Sequence, residues 1–195
     1  MATLSPASAD PALPQPTARG GFWRAGRRLR RDQNGATTVE FALIAVPFFA
    51  LLFAILETGM AFFAANVLET AVTNAARLIR TGQAQEAGLD GATFKDKICD
   101  QLVLMFNCSS GLYVDVETFT DFGSITLAPP VDENGDLKKD GYVYHAGHGS
   151  DIVVVRAFYQ WPVFVPQLGN NLADLGNGMH LLAAAAAFRN EPFPW

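Results

Sequence analysis

The sequence predicts an α+β protein in which a long N-terminal transmembrane helix continues into a small domain with an antiparallel sheet and one or two short helices. Three observations predict this fold: an arginine-rich head, a long uncharged run directly after it, and later segments in which apolar and polar residues alternate. Half of the 195 residues are hydrophobic, 17% are charged and two are cysteine. This composition excludes a disordered acidic chain and a disulfide-dense mini-protein.

The charge is divided unevenly along the chain. Residues 1–35 hold six arginines against Asp10 and Asp32, while the rest of the chain carries 8 basic against 17 acidic side chains, from totals of 14 and 19. A basic head followed at once by an apolar run is a membrane-insertion signal, whereas binding nucleic acid would need the basic groups on a folded surface. We therefore expect a single-pass membrane protein with no nucleic-acid partner. Its N-terminus is cytoplasmic, and the chain after about residue 60 is periplasmic or extracellular.

One helix is predicted from Ala36 to about Arg80, ending at Gly82. Twenty residues from Thr37 contain Glu40 as their only ionisable group and rise about 30 Å as a helix, enough to cross a bilayer core. The predicted parts are a cytoplasmic leader (1–35), the helix (36–81, transmembrane over about 37–60 and amphipathic over about 61–81) and an extracytoplasmic α+β domain (82–195). Pro47 predicts a kink in the membrane helix. A buried helix of a soluble protein is the alternative, but the arginine flank argues against it.

The residues just before the apolar run offer a cleavage site at Gly35–Ala36. A cut there would make Ala36 the N-terminus and Glu40 the fifth residue, one helical turn away and on the same face. An acid near the hydrocarbon costs about 2.5 to 3.5 kcal/mol, which pairing with the new ammonium group offsets. If the ammonium belongs to a neighbouring chain, the pair sets the axial register of a helical filament. Alternatively, the spacing of Thr37 and Glu40 fits a capping box, and the two interpretations are compatible.

At these residues the sequence resembles the type IV pilin superfamily, and most closely the TadE-like minor pilins, or pseudopilins, of tight-adherence pilus systems. The resemblance is carried by Gly35, Glu40, Phe41 and the following Ala-Leu, and Pro47 within an aliphatic and Phe-rich stretch. The stretches 66–77 (NVLETAVTNAAR) and 188–193 (FRNEPF) add to it.

The resemblance implies cleavage by a prepilin peptidase and assembly with other pilins and pseudopilins at the inner-membrane pilus assembly platform. The processing and assembly residues it implies are Gly35, Ala36, Glu40 and Phe41. It implies no cofactor.

Elements of the exported domain follow from local patterns. Residues 92–106 have Phe94, Ile98, Leu102 and Met105 on one helical face. The segment 179–188 (MHLLAAAAAF) is a short helix or a strand, and its alanines favour a helix by propensity. Asn134–Gly135 fits a type I′ turn or a loose loop. Strands are predicted at 111–120, 142–144 and 152–161, in a sheet that packs on the second half of the long helix.

Cys99 and Cys108 are the only cysteines, and both lie in the predicted exported domain. In an oxidising compartment we expect them to form a disulfide, which requires the chain to reverse near Asn107 because one continuous helix would hold their Cα atoms about 13 Å apart. Two buried thiols are the alternative. A redox-active pair is disfavoured because the spacing is not C-x-x-C.

Two motifs resemble metal sites. His145 and His148, with Asp151 nearby, offer three possible ligands, but the glycines between them are typical of a solvated turn. The run 132–136 begins like a calcium loop but has Leu137 where glycine is needed and Val143 where the bidentate glutamate belongs. We expect no metal at either motif.

Catalytic motifs are also missing from the sequence. It contains no nucleophile motif and no glycine-rich phosphate loop, and we expect no enzymatic activity. Two other functions remain open: a single-pass anchored extracytoplasmic enzyme or sensor with an uncleaved leader, and a protein secreted after cleavage near Ala61.

Overall fold

The computed structural model describes residues 35–102, 106–164 and 172–194. The chain divides into two compact units, residues 1–48 and 49–195. Of the predicted leader, residues 1–34 lie outside the described residues. The elements are helices α1 (Ala36–Arg80), α2 (Gln83–Glu86), α3 (Gly91–Cys99) and α4 (Cys108–Gly111), strands β1 (Leu112–Phe119), β2 (Ile152–Trp161) and β3 (His180–Arg189), and a 3₁₀ turn, Phe122–Ser124.

Helix α1 has the predicted extent, and its two halves differ in exposure. Large apolar side chains from Val39 to Phe63 are exposed. From Ala61 onward one face is buried in the core, at Ala61, Ala64, Leu68, Ala71, Val72, Ala75, Ala76 and Ile79. This spacing is the helical period of an amphipathic helix, as predicted. The helix continues through Pro47 and ends where Gly82 adopts a left-handed conformation (φ 79°), which a glycine accommodates without strain.

The sheet is antiparallel with the strand order β1-β2-β3. The register pairs Asp115 with Arg156 and Val154 with Ala187. Alternate side chains of all three strands pack in one cluster with the buried face of α1; these are Leu112, Val116, Val153, Val155, Ala157, Tyr159, Trp161, Leu182 and Ala184. The predicted α+β fold, with the sheet on the second half of the long helix, is confirmed.

A second, smaller apolar layer covers the other face of the sheet. Phe158 packs there with Leu137 and Leu175, and half-buried side chains from both flanking loops join this cluster. The sheet is therefore covered on both faces. Because both faces are covered, the first eight of the ten residues of β2 are all buried.

The alanine-rich segment forms strand β3, so the preference for a helix over 179–188 is wrong. All ten residues of β3 pair with β2, from Trp161↔His180 to Ile152↔Arg189. Leu182 and Ala184 point into the core, whereas Ala183 and Ala185 are exposed. Pairing with a buried neighbour and burial of alternate side chains outweigh the helix propensity of alanine, which is a small term per residue.

Helix α3 is shorter than predicted. It begins at Gly91, after the N-cap residue Asp90, which forms a capping box with Thr93. It ends at Cys99, so the predicted continuation to Phe106 is wrong. Phe94 and Ile98 are fully buried as expected, while Met105 lies outside the described residues.

The helix stops because the chain turns to bring Cys108 back to Cys99. The two cysteines form the predicted disulfide, with Cα atoms 5.9 Å apart. Closing a loop of this length stabilises the fold by about 2.5 to 3 kcal/mol in the chain-entropy description.

Two smaller predictions also change. Tyr144 makes a single parallel bridge to Val116, so residues 142–144 do not form a strand of their own. Gly135 has φ 81° but Asn134 does not have a positive φ, so the turn is not type I′. The Asp132 carboxylate accepts the N–H groups of Asn134 and Asp136, each at 2.9 Å, which holds a tight turn of another type.

Candidate processing and assembly site

The candidate cleavage bond lies at the beginning of helix α1. Gly35 occupies a single 3₁₀ position and Ala36 is the first helical residue. A Cβ atom added at Gly35 would meet no described atom within 4 Å, and Gly35 does not have a positive φ. Among the described residues, neither packing nor backbone conformation therefore requires glycine here.

Glu40 is the fifth residue of α1, one helical turn after Ala36, and its side chain is exposed. It makes no hydrogen bond or ion pair with any residue that the structure describes. Because α1 begins at Ala36, Thr37 lies inside the first turn and is not the N-cap, so the alternative of a Thr37–Glu40 capping box is not realised.

The surface around Glu40 is apolar. Phe41 and Ile44 are each 70% exposed, and Leu43 is 71% exposed. The most apolar window of 18 residues in this helix has a mean hydropathy of 2.5 and none of it is buried. This helix is long and apolar enough to cross a membrane, and a single acid stands near its N-terminal end.

The two histidines of the candidate metal motif lie in an exposed loop. The N–H of His148 donates to the Asp151 carboxylate at 2.7 Å, and His148 Nδ1 lies 3.7 Å from the same carboxylate. The buried amide of Asn190 donates to the carbonyls of Ala146 and His148, which fixes the loop. Within residues 35–102, 106–164 and 172–194, no group of three or more His, Cys, Asp or Glu residues is arranged to hold a metal ion.

A buried ionic network on the outer face of the sheet was missed by the sequence reasoning. Asp115 is 2% exposed and Arg156 8% exposed. Arg156 Nε lies 3.1 Å from the Asp115 carboxylate, and Arg156 Nη2 also reaches Glu117 at 2.9 Å. Burial, followed by the adjacent Asp115, raises the pKa of Glu117, while Arg156 partly opposes the shift. A single arginine in an apolar strand, opposite two acids spaced i, i+2, was the available signal.

This network holds loops onto the sheet. Asp115 Oδ1 accepts the N–H of Val143 at 3.0 Å, and Arg156 Nη1 donates to the carbonyl of Ala128 at 2.8 Å. Every charged group in it faces a partner within the protein, as burial of charge requires.

Comparison with known protein families finds a similarity in the N-terminal part of the chain. Residues 35–77 match the family described as TadE-like protein, which confirms the resemblance inferred from the sequence. The match begins at Gly35 and contains Glu40, the apolar run and most of the buried face of α1. No curated protein and no solved structure matches the chain.

The match indicates a component associated with the tight-adherence pilus. The family is structural and pilus-associated, and the described residues include one helix that is long and apolar enough to span a membrane. The matched residues cover about a fifth of the chain and exclude the sheet.

Proposed function

We propose that this protein is a minor pilin or pseudopilin of a tight-adherence pilus, a structural and assembly component that a prepilin peptidase processes between Gly35 and Ala36. One observation carries the proposal: the family match begins at Gly35, next to the first residue of a helix in which Glu40 stands fifth, exposed and surrounded by apolar side chains. The predicted inner-membrane location and the cytoplasmic side of cleavage belong to the same proposal.

The charges at this end of α1 explain why cleavage would switch on assembly. Before cleavage, six arginines hold residues 1–35 on the cytoplasmic side. Cleavage removes them and places an ammonium group at the N-terminus of α1, where the helix dipole disfavours positive charge. Pairing with the Glu40 carboxylate of a neighbouring chain neutralises both groups next to the hydrocarbon.

The exposed apolar half of α1 supplies the packing surface for this assembly. Its large apolar side chains from Val39 to Phe63 are exposed in the isolated chain. In a bilayer they contact lipid, and in a filament or its base they contact the helices of other pilins. Pro47 frees one carbonyl within this surface, which a neighbouring helix can satisfy.

N-terminal sequencing of the membrane-extracted protein tests the processing step. We expect the mature chain to begin at Ala36, and the Gly35→Leu variant to keep its leader because the larger side chain blocks the protease. Gly59→Leu is the matched control: Gly59 also lies in open space, so this change introduces the same side chain elsewhere in the region and leaves cleavage intact.

Two results would contradict the proposal. An N-terminus at Met1 would indicate an anchored extracytoplasmic enzyme or sensor with an intact leader. An N-terminus at Phe62 would indicate secretion after cleavage near Ala61.

A further inference from the structure

Strand β3 forms one edge of the sheet. Three hydrogen bonds show which of its backbone N–H groups point toward β2 and which point away from it. Asn190 donates its N–H toward β2, to the carbonyl of Asp151. Leu181 and Glu191 donate on the opposite side, to the Asp174 carboxylate and the Arg80 carbonyl. Because successive residues of a strand alternate in direction, the odd-numbered residues of β3 direct their N–H and C=O groups away from β2.

The outward groups of Ala183, Ala185 and Ala187 have no hydrogen-bond partner among the described residues. At the two ends of this open stretch the outward N–H groups have partners: that of Leu181 donates to Asp174, and that of Glu191 donates to the end of α1. Between them, about 20 Å of strand edge remains available for pairing.

The opposite edge of the same sheet is protected. On β1, Val116 donates its N–H to Val143 and accepts from the N–H of His145, so the chain itself covers that edge. Exposed edges are normally blunted by lysine, proline or a bulge. Between His180 and Arg189, β3 contains only leucine, alanine and phenylalanine and pairs with β2 without a bulge.

A groove of about 390 Å³ runs along this open edge, and α1 forms its other wall. The wall is basic: Arg77 and Arg80 line the groove, and Arg189 is exposed at the end of β3. Arg80 lies 3.8 Å from Glu191, whereas Arg77 forms no ion pair with a described residue. Glu69 lies on the same helical face but one turn before the groove lining.

We propose that the β3 edge and this groove bind an extended acidic segment of another protein, which adds to the sheet as a fourth strand. Backbone pairing with Ala183, Ala185 and Ala187 supplies affinity, and the small alanine side chains leave room for the incoming strand. A carboxylate on that strand pairs with Arg77. A second copy of β3 fits poorly because β3 contains no acid and would bring further arginine to a basic groove.

The proposal rests on the sheet and the groove, and not on cleavage at Gly35. Its probe is a synthetic seven-residue peptide with blocked ends and glutamate at alternate positions, added to the full chain in detergent micelles. We expect saturable binding by fluorescence anisotropy. We also expect hydrogen exchange at the amides of Ala183, Ala185 and Ala187 to slow by about tenfold or more.

Two variants locate the site. Ala185→Pro removes an outward donor without removing a bond to β2 and should abolish binding, while Ala185→Ser keeps the donor and should bind normally. Arg77→Glu should weaken binding of the glutamate peptide by about tenfold and favour binding of a peptide with lysine at the same positions. Lys139→Glu, in an exposed loop outside the groove, is the charge-matched control.

Several outcomes would overturn the proposal. Equal binding of the glutamate and lysine peptides would show that the site does not select an acidic partner. Absence of binding at millimolar peptide would show that the edge is not a binding site. Slow exchange of these amides without peptide would show either that the chain covers its own edge or, if it depends on protein concentration, that a second copy does. Because the peptide comparison uses the unaltered chain, misfolding of Ala185→Pro would leave the test intact.

Discussion

Glu40 is a residue whose position the fold does not explain. It stands among exposed apolar side chains on α1 and has no partner among the described residues. Placing a carboxylate near the hydrocarbon costs about 2.5 to 3.5 kcal/mol, and glutamine in its place would keep a similar shape at lower cost. No contact among the described residues therefore accounts for a charge at this position.

We expect Glu40→Gln to leave the protein in the membrane but assembled poorly with other pilins. The variant keeps the volume of the side chain and deletes the charge that, in the proposed assembly, pairs with the N-terminal ammonium group of a neighbouring chain. Membrane fractionation and the yield of sheared pili measure the two effects. Glu69→Gln, which neutralises an exposed acid in the amphipathic half of α1, should assemble normally; normal pili from Glu40→Gln would refute the charge role.

Asp115 and Arg156 form the second residue-scale feature. We expect Asp115→Asn to lower the free energy of unfolding by about 3 to 5 kcal/mol, because it leaves the buried guanidinium without its main countercharge. Urea unfolding of the detergent-solubilised chain, followed by circular dichroism, measures the loss. Glu117→Gln, at the more exposed end of the network, should cost under about 1 kcal/mol. Equal effects of the two variants would contradict this account.

At the scale of elements, β3 shows how a neighbour decides secondary structure. The same run of alanines could continue a helix, but here each residue has a partner in β2 and alternate side chains face the core. Small side chains on the inner face allow the sheet to lie close to α1. The disulfide likewise limits α3. The helical spacing of apolar residues continues past Cys99, but the helix ends there and Cys99 is bonded to Cys108.

The alternation of buried and exposed side chains along β3 can be tested with one pair of substitutions. We expect Ala184→Leu to destabilise the protein by about 1 to 3 kcal/mol, since Ala184 is 6% exposed and the added volume has no space. Ala183→Leu, one residue away on the exposed face, should stay within about 0.5 kcal/mol of the unaltered protein. Thermal unfolding of the two variants side by side measures the difference, and comparable losses would argue against the two-residue period.

At the scale of the whole molecule, the proposed topology places the sheet outside the cytoplasm. We expect a membrane-impermeant maleimide to label Glu133→Cys in unlysed spheroplasts, because Glu133 lies in an exposed loop of that domain. Ala84→Cys, at a position 1% exposed, should react only after unfolding, and the native cysteines are protected by their disulfide. Labelling of Glu133→Cys only after lysis would reverse the orientation.

The N-terminal half of α1 and the candidate site could be predicted from sequence because their signals are local. Charge, length and hydropathy identify the apolar helix, and the positions of Gly35, Ala36 and Glu40 are fixed by counting along one chain. The strands at 112–119 and 152–161 could also be predicted from sequence. β-Branched and aromatic residues dominate β2, and apolar and polar residues alternate along much of β1.

The sequence alone thus determined the long helix, its apolar and amphipathic halves, the position of the lone acid in the apolar run and strands β1 and β2. Tertiary structure decided the strand at 180–189, the early end of α3, the ionic network of Arg156 and the open edge beside Arg77. Each of these depends on contacts between residues distant in the chain. Local propensity differs by less than about 1 kcal/mol per residue between such alternatives, so packing and backbone pairing determine which one forms.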